Sequence, residues 1–288
     1  MDKIKLSVIV PVFNEEKIVF SIINELKNVL NKLNISYEII AVDDASRDKS
    51  GEILKTIEGI NLIKHPQNRG YGASLKTGIK AAQGEWILIT DADGTYPLNS
   101  IPELYKYTND YDMVVGARTG KNVSIPFFRK PAKKFISILA NFLSGQKIPD
   151  LNSGLRFFKK DLALNYFHLF PERFSFTTTI TLAFISDGYL VKFIPIDYFK
   201  REGKSSISPL KDFIYFTSLV VRIVTYFRPL KIFALISFLL LFLGIIIFVY
   251  GFYFLHVVAD ITFIVLALAA IQTFLSGLIA ELVVKSRK

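Results

Sequence analysis

Residues 85–95 read EWILITDADGT, and the fold turns on that stretch. Residues 85–90 are a short apolar run rich in β-branched side chains, the composition of a strand buried on both faces. Asp91 and Asp93 follow at once, with Ala92 between them. Two carboxylates at the end of a buried strand are costly unless a cation compensates them. Their hard oxygens suit Mg2+ or Mn2+ shared with a substrate phosphate. An Asp-x-Asp also caps helices and opens turns, so the surrounding chain has to decide between these readings.

Working outward, the same strand-then-polar pattern precedes it three times. Leu6–Val12 (LSVIVPV) leads into Asn14-Glu15 and an amphipathic helical pattern over residues 15–33. Residues 38–42 (EIIAV) end in Asp43-Asp44, with a helix predicted over 50–57. Asn61–Lys64 leads to Asn68-Arg69 and a predicted helix over 71–82, closed by Gly84. Further strands are predicted at Met113–Ala117, 155–158 and 190–194, and no internal repeat or low-complexity segment interrupts them. Such alternation implies an α/β fold with a mostly parallel sheet, helices on both faces and ligands at the carboxyl ends of the strands.

The C-terminus is different. Hydrophobic residues make up 51% of the 288-residue chain and charged residues 21%, with a mean hydropathy of +0.37, which implies a soluble part joined to a membrane part. Residues 232–255 carry no charged side chain and would reach roughly 36 Å as a helix, against a hydrocarbon core of about 30 Å. Residues 261–284 form a second such run, with Glu281 near its end, where a carboxylate reaches the headgroups. Arg228 and Lys231 precede the pair and Lys285, Arg287 and Lys288 follow it, while 256–260 lack Lys and Arg. The positive-inside rule therefore puts both ends in the cytoplasm. The run over 8–13 is too short for a signal peptide and ends in Asn14-Glu15-Glu16. Three parts follow: a cytoplasmic α/β domain over 1–206, juxtamembrane amphipathic helices over 207–230 and a transmembrane hairpin over 231–288.

The net charge of +10 falls on the soluble part and favours lipid or phosphate partners. Nucleic acid is the competing reading, but no helix-turn-helix, zinc-finger or RRM signature accompanies the charge. Phe127, Phe128, Phe135, Ile136, Leu139, Phe142 and Leu143 share a segment with Arg129, Lys130, Lys133 and Lys134; residues 207–229 repeat the mixture with Lys211, Arg222 and Arg228. Either stretch alone fits a helix in the headgroup plane or a core-facing helix with a solvated charged side, and adjacency to the apolar run favours the headgroup plane for the second. The absence of cysteine and the presence of only three histidines leave catalysis to carboxylates and cations.

Four motifs occur in order: Pro11-Val12-Phe13-Asn14-Glu15, Val42-Asp43-Asp44-Ala45-Ser46-Arg47-Asp48, Asn68-Arg69-Gly70-Tyr71-Gly72 and Asp91-Ala92-Asp93. In this order and spacing the chain resembles the inverting GT-A glycosyltransferases of family 2, and within them the dolichol-phosphate mannose and glucose synthase group. The resemblance runs from about residue 6 to residue 233 and includes Gly116-Ala117-Arg118, Phe128-Arg129-Lys130, Asn152-Ser153-Gly154-Leu155-Arg156 and Arg201-Glu202-Gly203-Lys204-Ser205.

It implies transfer of one sugar from GDP-mannose, UDP-glucose or UDP-N-acetylglucosamine to a dolichyl or polyprenyl phosphate. It also implies that Pro11, Val12, Asn14, Glu15, Asp43, Asp44, Ser46 and Ala92 contact the nucleotide sugar, and that Asp91 and Asp93 hold Mg2+ or Mn2+. Arg118 and Arg129 would take the lipid phosphate, while Arg201, Lys204 and Ser205 would steady the leaving group. A phosphate with a second pKa near about 6 is already ionised at neutral pH and needs no general base.

The chain departs from the pattern in three places. Thr95 stands where mannose synthases carry Gln as a further metal ligand, residues 176–181 read FTTTIT where relatives carry an acidic residue, and Ser206 replaces a Lys of some relatives. Among rivals, Asp91–Thr95 also matches the nucleophile motif of haloacid-dehalogenase-type phosphatases, which normally stands near the start of the fold. A processive polysaccharide synthase needs Gln-x-x-Arg-Trp after the acid pair, and the only tryptophan, Trp86, precedes it. A Rossmann dehydrogenase needs Gly-x-Gly-x-x-Gly after the first strand. Two readings stay open: a family 2 enzyme acting on a sugar hydroxyl with Asp150 as base, and a catalytically inactive membrane scaffold.

Overall fold

The chain begins with β1 (Leu6–Val12), α1 (Val19–Asn31), β2 (Tyr37–Asp43), α2 (Ser50–Lys55), β3 (Asn61–Lys64), α3 (Tyr71–Ala81) and β4 (Trp86–Ile89). It continues through α4 (Ile101–Tyr105), β5 (Met113–Ala117), β6 (Arg156–Lys159), α5 (Lys160–Asn165), α6 (Phe176–Ser186) and β7 (Val191–Pro195). Helices α7 (Pro209–Phe227), α8 (Pro229–Tyr250) and α9 (Asp260–Lys285) complete it. This computed structural model describes residues 4–121, 140–141, 145–172, 175–200, 209–255 and 260–286. The basic aromatic segment over 127–143 falls outside them except for Ala140 and Asn141, as do Arg129, Arg201, Lys204, Ser205 and Ser206.

The seven strands form one sheet in the order β3-β2-β1-β4-β6-β5-β7. Strands β3, β2, β1 and β4 are parallel, β6 runs antiparallel to both β4 and β5, and β7 is parallel to β5. The expected mostly parallel α/β sheet is thus observed, with β6 reversed. Because side chains alternate across a strand, each face has its own core. Val8, Val10, Ile39, Leu88 and Val114 pack toward α1 and α4, whereas Ile9, Ile40, Ile87, Met113 and Phe158 pack toward α3 and α6.

Helix α1 starts later than the periodicity predicts. Asn14 has a positive φ of 57°, and the carbonyl of Glu15 accepts the N–H groups of Ile18 and Val19, so residues 15–18 form a turn ahead of the helix. Over 207–230, where juxtamembrane amphipathic helices in the headgroup plane are expected, the structure has α7 (Pro209–Phe227). There Leu219, Val220, Ile223, Val224 and Phe227 are buried in the domain's core while Val221 and Tyr226 stay exposed, so over 219–227 the core-facing reading describes it.

Helices α8 and α9 pair closely because glycines stand at their contact. A Cβ at Gly277 would lie 2.5 Å from that of Phe233, and one at Gly244 would lie 3.3 Å from that of Leu266. Ser237 Oγ donates to the carbonyl of Ala270 at 2.8 Å. The outward faces are bare: Phe238, Leu268 and Ile279 are each more than 60% exposed. Helices this long and apolar, at Pro229–Phe254 and Asp260–Lys285, have lipid as their solvent, so the expected two-span hairpin is present.

Candidate active site

The carboxyl ends of β1 and β2 lie side by side, with Val12 opposite Asp43 in register. Asn14 donates its backbone N–H to Ser46 Oγ at 3.1 Å and accepts the N–H of Arg47 on its own Oδ1 at 2.7 Å. Glu15 N–H donates to Ser50 Oγ. The expected nucleotide residues Pro11, Val12, Asn14, Glu15, Asp43, Asp44 and Ser46 are therefore brought together.

The two acids do different things. Asp43 is fully buried; its Oδ1 accepts Ser46 N–H at 2.9 Å, while Oδ2 has no hydrogen-bond partner among the described residues. Gly51 makes room for that oxygen, since a Cβ there would sit 2.6 Å away. Asp44 accepts the N–H groups of Arg69 (2.9 Å) and Gly70 (2.8 Å) and lies 2.7 Å from His65 Nδ1, whose Nε2 meets Thr77 Oγ1. It holds the turn into α3, where Gly70 has a φ of 98°.

Asp91 and Asp93 follow β4 and are partly buried, with Ala92 buried between them. Tyr71 Oη donates to Asp91 Oδ1 at 2.8 Å. Burial, and then the charge of Asp91, raise the Tyr71 phenol well above its ordinary pKa, so it stays a donor. Thr95 donates both its N–H (3.1 Å) and its hydroxyl (2.6 Å) to Asp93 Oδ1. Gly154 faces the pair so closely that a Cβ would lie 2.8 Å from Asp91 Oδ2, and its N–H donates to Tyr96 Oη. Two hard carboxylates beside a glycine loop fit a divalent ion that completes its shell with substrate oxygens. Among the described residues no group of three or more His, Cys, Asp or Glu forms a closed metal cage.

Beyond β5, Arg118 forms a bidentate pair with buried Asp150, Nε–Oδ2 at 2.7 Å and Nη2–Oδ1 at 2.8 Å, and adds its backbone N–H. Its guanidinium lies over the Tyr198 ring, which in turn packs edge-on against Tyr96. Burial opposes the charge on Arg118, but Tyr96 and Asp150 outweigh it and hold the pKa well above the ordinary value. Asp150 also accepts the N–H of Asn152, so both of its oxygens are engaged within the protein.

The hydroxyl cluster at 176–181 acquires a purpose. Arg156 is fully buried, and its guanidinium donates to the carbonyls of Leu151, Ser153 and Thr177 and to Thr181 Oγ1. Burial lowers its pKa to about 10, leaving it charged at neutral pH. The chain thus solvates the cation with neutral oxygens. Tyr71, Gly154 and Arg156 stand within the sequence motifs, which by themselves assign them no role. An arginine at the start of the short strand RFFK, directly after Leu155, is the local signal.

The family model for glycosyl transferase family 2 matches residues 7–167, and that for the GtrB C-terminal hairpin matches 228–285. The chain belongs to glycosyl transferase family 2. It is 30% identical over 247 residues to an undecaprenyl-phosphate 4-deoxy-4-formamido-L-arabinose transferase of Pectobacterium carotovorum, covering 82% of this chain and 72% of the relative. It is 26% identical over 206 residues to a dolichyl-phosphate hexose transferase of Haloferax volcanii, covering 71% and 87%. In fold it is similar to glucosyl-3-phosphoglycerate synthase from Mycobacterium tuberculosis in complex with UDP (TM-score 0.60, 14% identity, 76% of this chain and 80% of that one). It is also similar to S. aureus TarS 1-349 in complex with UDP (TM-score 0.55, 20% identity), covering 77% of this chain and 66%, just under two thirds, of that one. As a family 2 member with a GT-A fold and a GtrB-type hairpin, the chain is a membrane glycosyltransferase.

Proposed function

We propose that this family 2 enzyme moves one sugar, with inversion, from a nucleotide sugar to a dolichyl or polyprenyl phosphate at the cytoplasmic face of a membrane. The observation that carries the reading is the placement of Asp91 and Asp93 between the acid-rich ends of β1 and β2 and the guanidinium-rich end of β5, in a domain continuous with a membrane hairpin. The names of the two curated relatives, which act on dolichyl and undecaprenyl phosphates, support a lipid phosphate acceptor. The basic residues flanking the hairpin support the cytoplasmic orientation.

The nucleotide part of the donor lies across Pro11, Val12, Asn14, Glu15, Asp43, Asp44, Ser46 and Ala92, at the carboxyl ends of β1, β2 and β4. Asp91 and Asp93 hold Mg2+ or Mn2+, which when bound neutralises the donor's diphosphate. Arg118, oriented by Asp150, binds the acceptor phosphate together with Arg129, while Arg201, Lys204 and Ser205 steady the departing nucleoside diphosphate. A phosphate oxygen forms the new bond to the anomeric carbon as the bond to the diphosphate breaks, so an α-linked donor gives a β-linked lipid phosphate sugar. No base is needed, and the alternative of a sugar hydroxyl acceptor is disfavoured because both oxygens of Asp150 serve Arg118 and Asn152.

Vesicles containing the full chain are incubated with polyprenyl phosphate and, separately, GDP-mannose, UDP-glucose or UDP-N-acetylglucosamine. One donor gives a lipid-linked product only with Mg2+ or Mn2+, and Asp93→Ala lowers the rate on the order of a thousandfold. Transfer that survives chelation overturns the cation assignment; transfer to a sugar hydroxyl but not to lipid phosphate overturns the acceptor.

A further inference from the structure

The loop over 150–154 ties the two ends of the site together. At its start Asp150 grips Arg118, and at its end the Gly154 backbone stands against Asp91, where a Cβ would lie 2.8 Å from Oδ2. Asn152 is midway, two residues from each, and donates its backbone N–H to Asp150 Oδ1 at 3.1 Å. Its neighbours Leu151, Ser153 and Gly154 are buried, whereas Asn152 is half-buried. Thr178 fixes its carboxamide. The Thr178 hydroxyl, fully buried in the first turn of α6, donates to Asn152 Oδ1, so the amide oxygen faces the protein and the NH2 end is turned the other way. That NH2 group has no hydrogen-bond partner among the described residues.

We propose that Asn152 donates a hydrogen bond from Nδ2 to a hydroxyl oxygen of the transferred sugar, and that Thr178 is the positioning residue that keeps this donor turned outward. The inference rests on the proposed function above, which puts the donor diphosphate at Asp91 and Asp93 and the acceptor phosphate at Arg118. In an in-line displacement the sugar lies between the leaving diphosphate and the attacking phosphate oxygen. Asn152 sits in the loop that spans those two positions. The chemistry of the group agrees with its place. The two phosphates call for charged partners, which the cation and Arg118 supply, whereas a neutral amide N–H matches a neutral hydroxyl. Once substrate has excluded water, a donor left without a partner costs more than one hydrogen bond gains, so a sugar lacking an oxygen at that point is rejected. The amide thus selects among sugars and leaves the nucleotide to the residues at the ends of β1 and β2.

The test compares two ligands that differ only by the sugar. Full-length protein in detergent with Mg2+ is titrated calorimetrically with GDP-mannose, UDP-glucose and UDP-N-acetylglucosamine, and then with GDP and UDP. The ratio of dissociation constants, nucleotide sugar against its own nucleoside diphosphate, reads the contacts of the sugar. Asn152→Leu, close in size, is expected to weaken the nucleotide sugar about tenfold relative to the diphosphate, the scale of one hydrogen bond whose partner is left unpaired. Thr178→Val frees the carboxamide to turn and moves the ratio the same way by a smaller factor, whereas Thr178→Ser keeps the hydroxyl and the wild-type ratio. Loss of structure alone weakens both ligands in proportion, so an unchanged ratio in Asn152→Leu overturns the proposal, as does Thr178→Ser behaving like Thr178→Val. A raised KM for polyprenyl phosphate at an unchanged ratio also overturns it, by giving the amide to the acceptor. Wild-type protein that binds none of the three nucleotide sugars, or binds one and forms no lipid-linked product, overturns the proposed function itself, a result separate from an unaltered ratio in the variants.

Discussion

At the ends of β1 and β2 the buried charges are carboxylates, and Asp43 and Asp44 are satisfied mainly by backbone N–H groups of Ser46, Arg69 and Gly70. Around β5 and β6 two guanidinium groups join them: Arg156 surrounded by carbonyls and one hydroxyl, and Arg118 gripped by the buried carboxylate of Asp150. The chain thus solvates anions with amides on one side and cations with carbonyl, hydroxyl and carboxylate oxygens on the other, and Asp91 and Asp93 stand between. The contrast teaches how one sheet can present two polyanions to each other. Under the proposed function, the side offering acceptors would meet a metal-bound nucleotide and the side offering donors would meet a bare phosphate.

Three substitutions test that division. The largest effect is expected on the cationic side. Arg156→Met leaves the carbonyls of Leu151, Ser153 and Thr177 without their shared donor and should cost about 2–4 kcal/mol, read as a lowered melting temperature of the detergent-solubilised chain. An unchanged melting temperature would mean that the buried cation organises nothing. Next is Asp44→Asn, which can accept one loop N–H but turns its own NH2 toward another. A loss of about 2 kcal/mol is expected, with a raised KM for the nucleotide sugar and little change for the lipid. A comparable rise in the lipid's KM would erase the distinction between the sides. The smallest change is Asp150→Asn, which loosens Arg118 and should raise the KM for lipid phosphate by about tenfold at nearly constant kcat. A collapse of kcat together with loss of one limb of the pH profile would instead restore Asp150 as a general base.

Much of this was legible in the residue order because it is local. The apolar runs of β1, β2 and β4 announce strands, and the acids directly after β2 and β4 announce a site at their ends. What escaped depended on distance along the chain. Tyr71 and Asp91 are twenty residues apart, Arg156 and Thr181 twenty-five, and no periodicity links either pair. The late start of α1 has a related reason: residues 15–18 continue the helical pattern, but the N–H groups of Glu15 and Glu16 are taken by Ser50, which opens α2, and by Asp48 just before it.

Two apolar helices mark the boundary between what the sequence determined and what it did not. Length and the absence of interior charge were enough to assign α8 and α9 to lipid, because the thickness of a bilayer is a fixed requirement that a linear run either meets or fails. The eleven residues of α6 are also largely apolar, yet every one is buried inside the protein, and the Thr177 carbonyl and Thr181 hydroxyl form part of the shell around Arg156. That outcome required the sheet to close first: a hydroxyl becomes a cation's solvent only once water has been excluded and the guanidinium brought alongside, and both conditions belong to the tertiary structure.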